Sequence, residues 1–196
     1  MPFGTNLIKN GDAEQGQCYH SNQSSITAAL QGWSRHGGVI QIYYNNNDLK
    51  MYITNYTTDW HLCFFFGGNQ YSDSSNSNEN TIRQEINVKQ LSILINSRQA
   101  RYHASAYLGG FEDEQSSASM KIGFKNTRNK TEYIIVGPVT NVDLQNKTAI
   151  LFCSYNGTVP NDTLAIGIEL KFHRQKSHSG LRFGMTDNLK FVIEQK

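Results

Sequence analysis

Histidines and carboxylates are the residues of this sequence best suited to catalytic or metal chemistry. His173 and His178 enclose the stretch His-Arg-Gln-Lys-Ser-His, and Glu169 lies four residues before it. Imidazoles and a carboxylate around a divalent ion could activate water for attack on a phosphodiester. Glu169, His173 and His178 therefore support one hypothesis, a secreted metal-dependent hydrolase or cytotoxic effector. The alternative for the same stretch is a solvated hairpin loop. The sequence lacks HExxH, GxSxG and a phosphate-binding loop, which favours a protein without catalytic activity.

Aromatic residues beside polar groups suggest a second kind of chemistry, the binding of sugars. Sugar rings stack on flat aromatic faces, while fixed polar groups bind their hydroxyls. Trp60 and Phe111 are the preferred platforms, with Asp113 and Arg182 as polar partners, and we expect Phe111 to be exposed in a loop. Most aromatic residues of a β-sandwich lie in its core, as we expect for Trp33. The remaining candidate rings are those of Tyr43, Tyr44, Tyr107 and Tyr155.

Short apolar runs with a period of two residues predict the strands that must position these side chains. Between residues 163 and 173, Leu164, Ile166, Ile168, Leu170 and Phe172 alternate with residues expected to face solvent. One short helix is expected at 90–99, with Leu91, Leu94 and Ile95 on one face. The pattern predicts one antiparallel β-sandwich domain over residues 1–196. The predicted strands are 39–44, 51–55, 62–66, 80–88, 101–108, 119–125, 132–136, 148–154, 163–173 and 189–193.

The composition is that of an extracellular β-protein. The 196 residues carry a net charge of only +2, and 17% are charged. This balance is too weak to indicate nucleic acid or an anionic membrane surface as the main partner. No apolar run approaches the roughly 20 residues of a membrane-spanning helix, and no signal peptide is visible in the sequence as given.

The cysteines and glycosylation motifs agree with secretion. Cys18, Cys63 and Cys153 allow at most one intrachain disulfide, and the sequence leaves its pairing open. At least one of the three is expected to be a buried apolar side chain. Sequons that would make the protein a glycoprotein occur at Asn22, Asn55, Asn129, Asn146, Asn156 and Asn161.

Five segments, in order, resemble a family of secreted domains with a galactose-binding-like jelly roll of the carbohydrate-binding-module type. They are NLIKNGDAEQG at 6–16, GW at 32–33, FFFGG at 64–68, AYLGGFEDEQSSASMKIGF at 106–124 and TDNLKFVI at 186–193. The resemblance covers nearly the whole chain. It implies an all-β jelly roll, an extracellular location and glycans or glycoproteins as partners.

The same resemblance implies a structural calcium ion. In related modules the opening and closing phrases lie side by side and supply oxygen ligands, which here correspond to Asp12, Glu14, Asp187 and a backbone oxygen of Asn10. Ca²⁺ binds about six to eight such oxygens. Alternatively, the opening phrase forms only a turn and the closing phrase only a strand entry. Ala13 departs from the family, in which an aromatic residue is common at this place.

The leading functional hypothesis is a secreted, calcium-stabilised, lectin-like protein that binds glycans through Trp60, Phe111, Asp113 and Arg182. The hydrolase or effector described above is the first alternative. A structural matrix or adhesion protein without a small ligand is the second. The three hypotheses share one fold, and fold alone does not choose between them.

Overall fold

Two β-sheets account for most of the described chain. The computed structural model describes residues 3–19, 29–44, 62–68, 78–111, 116–140, 142–174 and 183–196. The strands within these ranges are β1 (Cys18–Tyr19), β2 (Ser34–His36), β3 (Ile40–Tyr43), β4 (Cys63–Phe66), β5 (Glu79–Asn87), β6 (Ala100–Gly110), β7 (Ser116–Asn126), β8 (Thr131–Val139), β9 (Ala149–Thr158), β10 (Thr163–Arg174) and β11 (Met185–Gln195).

The sheets form the predicted all-β sandwich with a jelly-roll arrangement. The six-stranded sheet has the order β1-β3-β4-β11-β6-β9, and the five-stranded sheet has the order β2-β5-β10-β7-β8. All described pairs are antiparallel except β1 with β3. The predicted strand at 51–55 lies outside the described residues. β1 and β2 were not predicted, since two or three residues are too few to show a period of two.

The core lies between the sheets, where the alternation seen in the sequence places it. Met120, Ile122 and Phe124 of β7 are buried, as are Ile166, Ile168, Leu170 and Phe172 of β10. Leu164 is only half buried, so its predicted place on the core face is wrong. The reason is a shift in the register of β10 against β7 between Thr163 and Ala165, which interrupts the alternation.

The predicted helix is present but shorter than expected. A 3₁₀ turn at Lys89–Leu91 leads into α1 at Ser92–Asn96. Leu91 and Ile95 are buried, and Leu94 packs against the same core, so the predicted face is confirmed. In the described ranges, no helix has the length and hydropathy to cross a bilayer.

Trp33 and the cysteines tie the irregular N-terminal part to the sheets. Trp33 is buried edge-on against Phe65 with ring centroids 5.7 Å apart, which confirms its predicted role in the core. Cys18 and Cys63 form the one disulfide, which settles the pairing that the sequence left open. Cys153 is free and half buried. Burial raises the pKa of its thiol.

Candidate functional site

A cleft of about 590 Å³ lies on the outer face of the five-stranded sheet. All five strands contribute to its lining. In the registers of β10, Gly167 lies opposite Gly123 of β7 on one side and opposite Glu85 of β5 on the other. Gly123 in turn lies opposite Tyr133 of β8. One row across the sheet therefore reads Glu85, Gly167, Gly123 and Tyr133.

The two glycines give the cleft its floor. A Cβ atom added at Gly167 would have no atom within 4 Å, so the space above this residue is open. A Cβ atom at Gly123 would lie 2.9 Å from a ring carbon of Tyr133, because the tyrosine ring leans over this glycine. Tyr133 is 58% exposed. The result is an accessible aromatic ring beside an open floor, an arrangement suited to a flat ligand.

Charged side chains around the floor hold one another in place. Glu169 accepts a hydrogen bond from Arg83 at 2.8 Å and lies 3.9 Å from the ammonium of Lys171. The ammonium of Lys121 lies 3.9 Å from the centre of the Tyr133 ring, within the range of a cation–π contact. These contacts fix polar groups and an aromatic ring on three neighbouring strands and on the edge strand β8.

A second depression of about 230 Å³ continues the cleft along the strands. The two depressions share Glu85 and Lys125, so they form one groove. Its far end is reached at Lys89 and Asn129. We call the combined feature the sheet groove. Of the charged and aromatic side chains that line it, only Glu169 was singled out from the sequence.

The predicted sugar-binding residues are not among the described residues that line the sheet groove. Trp60, Asp113 and Arg182 lie outside the described residues. Phe111 is 1% exposed, so its expected exposure is wrong. Its backbone N–H donates to the hydroxyl of Ser116, and its ring packs edge-on against Phe66 at 5.7 Å. These contacts place the ring in an apolar cluster instead of a solvated loop.

Glu169 and His173 do not form a common site. Both point outward from β10, where His173 is exposed and Glu169 belongs to the sheet groove. They are four positions apart on an extended strand, which puts about 13 Å between their backbone positions. A single metal ion would not reach both side chains at ligand distance. His178 lies outside the described residues.

The opening and closing phrases lie side by side, as the resemblance implies. The N–H of Leu189 donates to the carbonyl oxygen of Gly11 at 2.8 Å. A Cβ atom at Gly11 would lie 2.4 Å from the carbonyl oxygen of Leu189, so this close approach requires glycine. Asn10 and Ala13 both adopt a positive φ, which bends residues 10–16 into a loop over β11.

Asp187 is the buried acid of this region. Its Oδ2 accepts a hydrogen bond from the Tyr44 hydroxyl at 2.6 Å, and its Oδ1 accepts one from the Asn188 N–H at 2.6 Å. Burial raises the pKa of Asp187 to about 7, and the charges of Glu14 and Asp12 act in the same direction. The Glu14 carboxylate accepts the N–H of Cys63 at 2.7 Å. Three acids therefore share this region at an energetic cost to the buried one.

Asn10 has a mainly structural role. Its Oδ1 accepts the N–H of Gln15 at 2.8 Å, and its amide donates to the carbonyl oxygens of Gln15 and Gln31. Its own carbonyl accepts the Trp33 indole N–H at 3.3 Å. Asn10 therefore closes the loop and joins it to the core tryptophan.

The oxygen atoms around this loop, which we call the acidic loop (residues 10–16 with Asp187), have the chemistry of a hard-cation site. Gln41 donates a hydrogen bond to the Ala13 carbonyl, yet its own buried Oε1 has no partner. Carboxylate and amide oxygens are the ligands that Ca²⁺ prefers. In the parts of the chain that the structure describes, no three His, Cys, Asp or Glu side chains are grouped as they would be around a bound ion. The donor types fit calcium, while Asp187 carries the electrostatic cost that a cation would offset.

Comparisons with known proteins define the fold. No protein-family model and no curated protein matches the sequence. The chain is similar to the enzymatically active domain of tailspike protein 4 from bacteriophage CBA120, with a TM-score of 0.54, 12% identity and coverage of 96% of this chain and 21% of that one. It is also similar to the N-terminal tandem CBM22 domains of Paenibacillus barcinonensis Xyn10C, with a TM-score of 0.52, 9% identity and coverage of 100% and 47%.

A third similar structure is an arabinose-bound α-L-arabinofuranosidase, with a TM-score of 0.51, 10% identity and coverage of 97% and 27%. The chain thus spans between about a fifth and about half of these longer chains. The class that emerges is a jelly-roll sandwich with the fold of carbohydrate-binding modules. At these identities the likeness establishes the fold alone.

Proposed function

We propose that this protein is a secreted glycan-binding module whose binding site is the sheet groove. The single observation that carries the proposal is the open floor at Gly167 beside the exposed ring of Tyr133. Glycan-binding sites need such a ring together with fixed polar groups. The Cys18–Cys63 disulfide and the six sequons support an oxidising, extracellular setting. Trp60, Asp113 and Arg182 remain further sequence-based candidates.

In this proposal each part of the sheet groove has a role. The Tyr133 ring receives the apolar face of a sugar, while Glu85 and Glu169 accept hydrogen bonds from sugar hydroxyls. Arg83 donates to sugar oxygens and is already held by Glu169. Since Arg83 and Glu169 are oriented by their ion pair before the ligand arrives, less side-chain entropy is lost on binding.

Tyr133→Ala should weaken glycan binding about tenfold, because the stacking contribution of one aromatic ring is about 1 to 1.5 kcal/mol. Tyr133→Phe keeps the ring and should retain most of the affinity. The measurement is titration calorimetry with saccharides first identified on a glycan array.

The matched control is Phe152→Ala, which removes an aromatic ring of similar exposure from the other sheet. Its affinity should equal that of the parent protein. Equal loss in Tyr133→Ala and Phe152→Ala, or no loss in either, would place the binding site outside the sheet groove.

We also propose that the acidic loop binds one structural calcium ion through Asp12, Glu14 and Asp187, whose carboxylates would draw closer together around the ion than they lie without it. Support comes from the buried Asp187 carboxylate, from Glu14 and Asp12, whose negative charges disfavour its ionisation, and from the unpartnered oxygen of Gln41. A bound cation would supply the positive charge that these oxygens lack. Asn10 then serves to shape the loop, with its polar atoms already engaged.

A further inference from the structure

The charges of the sheet groove separate into paired and unpaired groups. Four cations and two acids line it, and one pair, Arg83 with Glu169, is already formed. No other ion pair among the described residues involves a charged side chain of the groove, apart from the contact of Lys171 with Glu169. The charged groups of the groove without an ion-pair partner are Lys89, Lys121, Lys125 and Glu85, of which Lys121 also contacts the Tyr133 ring.

The unpaired cations are also extended in space. Lys121 and Lys125 face the same side of β7, four residues apart, so their backbone positions are about 13 Å from each other. Gly123 and the Tyr133 ring lie between them. Lys89 lies farther along the groove. This spacing suits a ligand that carries several negative charges along an extended chain better than a single small anion.

We propose that the sheet groove selects anionic glycans, whose carboxylate or sulfate groups bind Lys121, Lys125 and Lys89. This inference rests on the proposed glycan-binding function and names the ligand class. Sugar rings contact Tyr133 and the open floor, and their anionic substituents reach the lysines at the sides. Glu85 lies across the floor from Lys121 and Lys125 and accepts hydroxyl hydrogen bonds.

The test compares three hexasaccharides in titration calorimetry: a neutral one, one of uronic acids and a sulfated one. At low salt, at least one anionic hexasaccharide should bind about tenfold more tightly than the neutral one, and added salt should reduce this advantage. The double variant Lys121→Gln/Lys125→Gln should lose this advantage.

The outcomes separate the two proposals. Equal binding of all three hexasaccharides by the parent protein would overturn the anionic preference and leave the glycan-binding function intact. Binding of none of the glycans on the array would overturn the function itself. Tighter binding of single-stranded DNA than of any hexasaccharide would assign the lysines to nucleic acid. Whichever anionic hexasaccharide binds more tightly, the uronic acid or the sulfated one, identifies carboxylate or sulfate as the group recognised.

A separate observation concerns the four edge strands of the sandwich. β1 and β2 have only two and three residues, and β8 contains Pro138, Glu132 and a register shift. Short length, proline, charge and irregular register all protect an edge against pairing with another chain. β9 has none of these features. Its ten residues pair with β6 in unbroken register and contain no charged residue and no proline.

β9 is exposed or half buried over residues 151–158, whereas Ala149 and Ile150 are buried. Leu151, Phe152 and Tyr155 are exposed. Among the residues that the structure describes, none forms a backbone hydrogen bond with the side of β9 that points away from β6. Such an edge pairs readily with a strand of matching length and charge.

The geometry points to a second copy of this chain as the partner, with two β9 strands paired antiparallel about a twofold axis. Two uncharged strands of equal length meet without like-charge repulsion, and a twofold arrangement uses both unprotected edges at once. The outer edges of the joined sheet are then the short β1 strands, so assembly stops at the dimer.

Sedimentation analysis over a wide concentration range tests this, in a Cys153→Ser background so that thiol oxidation cannot mimic association. The parent should form a dimer, while Phe152→Lys and Ser154→Lys should remain monomeric with unchanged melting temperatures. Ile93→Lys, at an exposed position of α1, is the control and should still dimerise. A monomeric parent, a dimer that survives both β9 lysines, or open-ended assembly would each refute the pairing.

Discussion

Gly167→Leu should abolish glycan binding while the protein remains folded. The new side chain would occupy the open floor of the sheet groove, where a Cβ atom meets no neighbour within 4 Å. The φ angle of Gly167 is not in the left-handed region, so a larger residue causes no backbone strain. Replacing glycine within a strand also lowers the entropy cost of folding. We expect affinity to fall by about a hundredfold or more, which corresponds to about 2.8 kcal/mol.

Titration calorimetry and thermal melts on the same preparation measure the two halves of this prediction. Ser154→Leu, an increase in size at an exposed position of the other sheet, should leave binding unchanged. Gly167→Ala should bind with intermediate affinity, since its methyl group fills only part of the floor. Retention of full affinity by Gly167→Leu would show that ligands do not enter the groove.

Asp187→Asn should stabilise the metal-free protein above pH 7 and destabilise the protein, relative to the parent, when calcium is bound. In metal-free protein the folded-state pKa of Asp187 is raised to about 7 by burial, from an ordinary value of 3.8. Between about pH 4 and pH 7 the folded protein keeps a proton on Asp187 that the unfolded chain has already lost. The stability of the parent therefore falls as pH rises through this window. The asparagine is neutral and avoids this loss, so above pH 7 the metal-free variant should be the more stable protein.

Calcium should invert that order. A cation bound to the carboxylate of the folded parent would add about 2.7 kcal/mol of stability at 100 times its dissociation constant. The variant should gain much less. Thermal melts of dialysed, metal-free protein from pH 4 to pH 8, with and without added calcium, measure both effects. Equal stabilisation of parent and variant by calcium would move the ion away from Asp187, and a flat metal-free pH profile of the parent would contradict the cost assigned to its burial.

The sandwich could be predicted from the sequence because the alternation of apolar and polar residues that indicates a strand is local. The alternation in β7 and β10 needs only neighbouring residues, and it located most of the buried side chains correctly. Leu164 was misplaced because a shift in strand register depends on the partner strand and leaves no mark in the alternation. The adjacency of Gly11 and Leu189 followed from the resemblance, since the two residues are distant in the chain.

The sheet groove could not be predicted in the same way. Its floor depends on Gly167 and Gly123, which lie opposite each other in strands far apart in sequence. The residues around each glycine do not indicate that pairing. Tyr133 is one of ten tyrosines, and its exposure follows from its place on an edge strand. Phe111 shows the converse, because its acidic neighbours suggested a solvated loop while its contact with Phe66 buries it.

The order in which the N-terminal segment lies along β11 determines how the module would respond to tension. Backbone hydrogen bonds join Gly4 to Ile193, Leu7 to Phe191 and Gly11 to Leu189, so the segment runs antiparallel to β11. A pull on residues 3 and 196 would therefore load this ladder of hydrogen bonds from one end. The bonds would then break one after another instead of together, and the segment would peel away at low force. The Cys18–Cys63 bond would stop the peeling before it reached the sheets. Under load the segment at Gly4 and Leu7 would separate first and the acidic loop next, while the five-stranded sheet and its groove would stay intact.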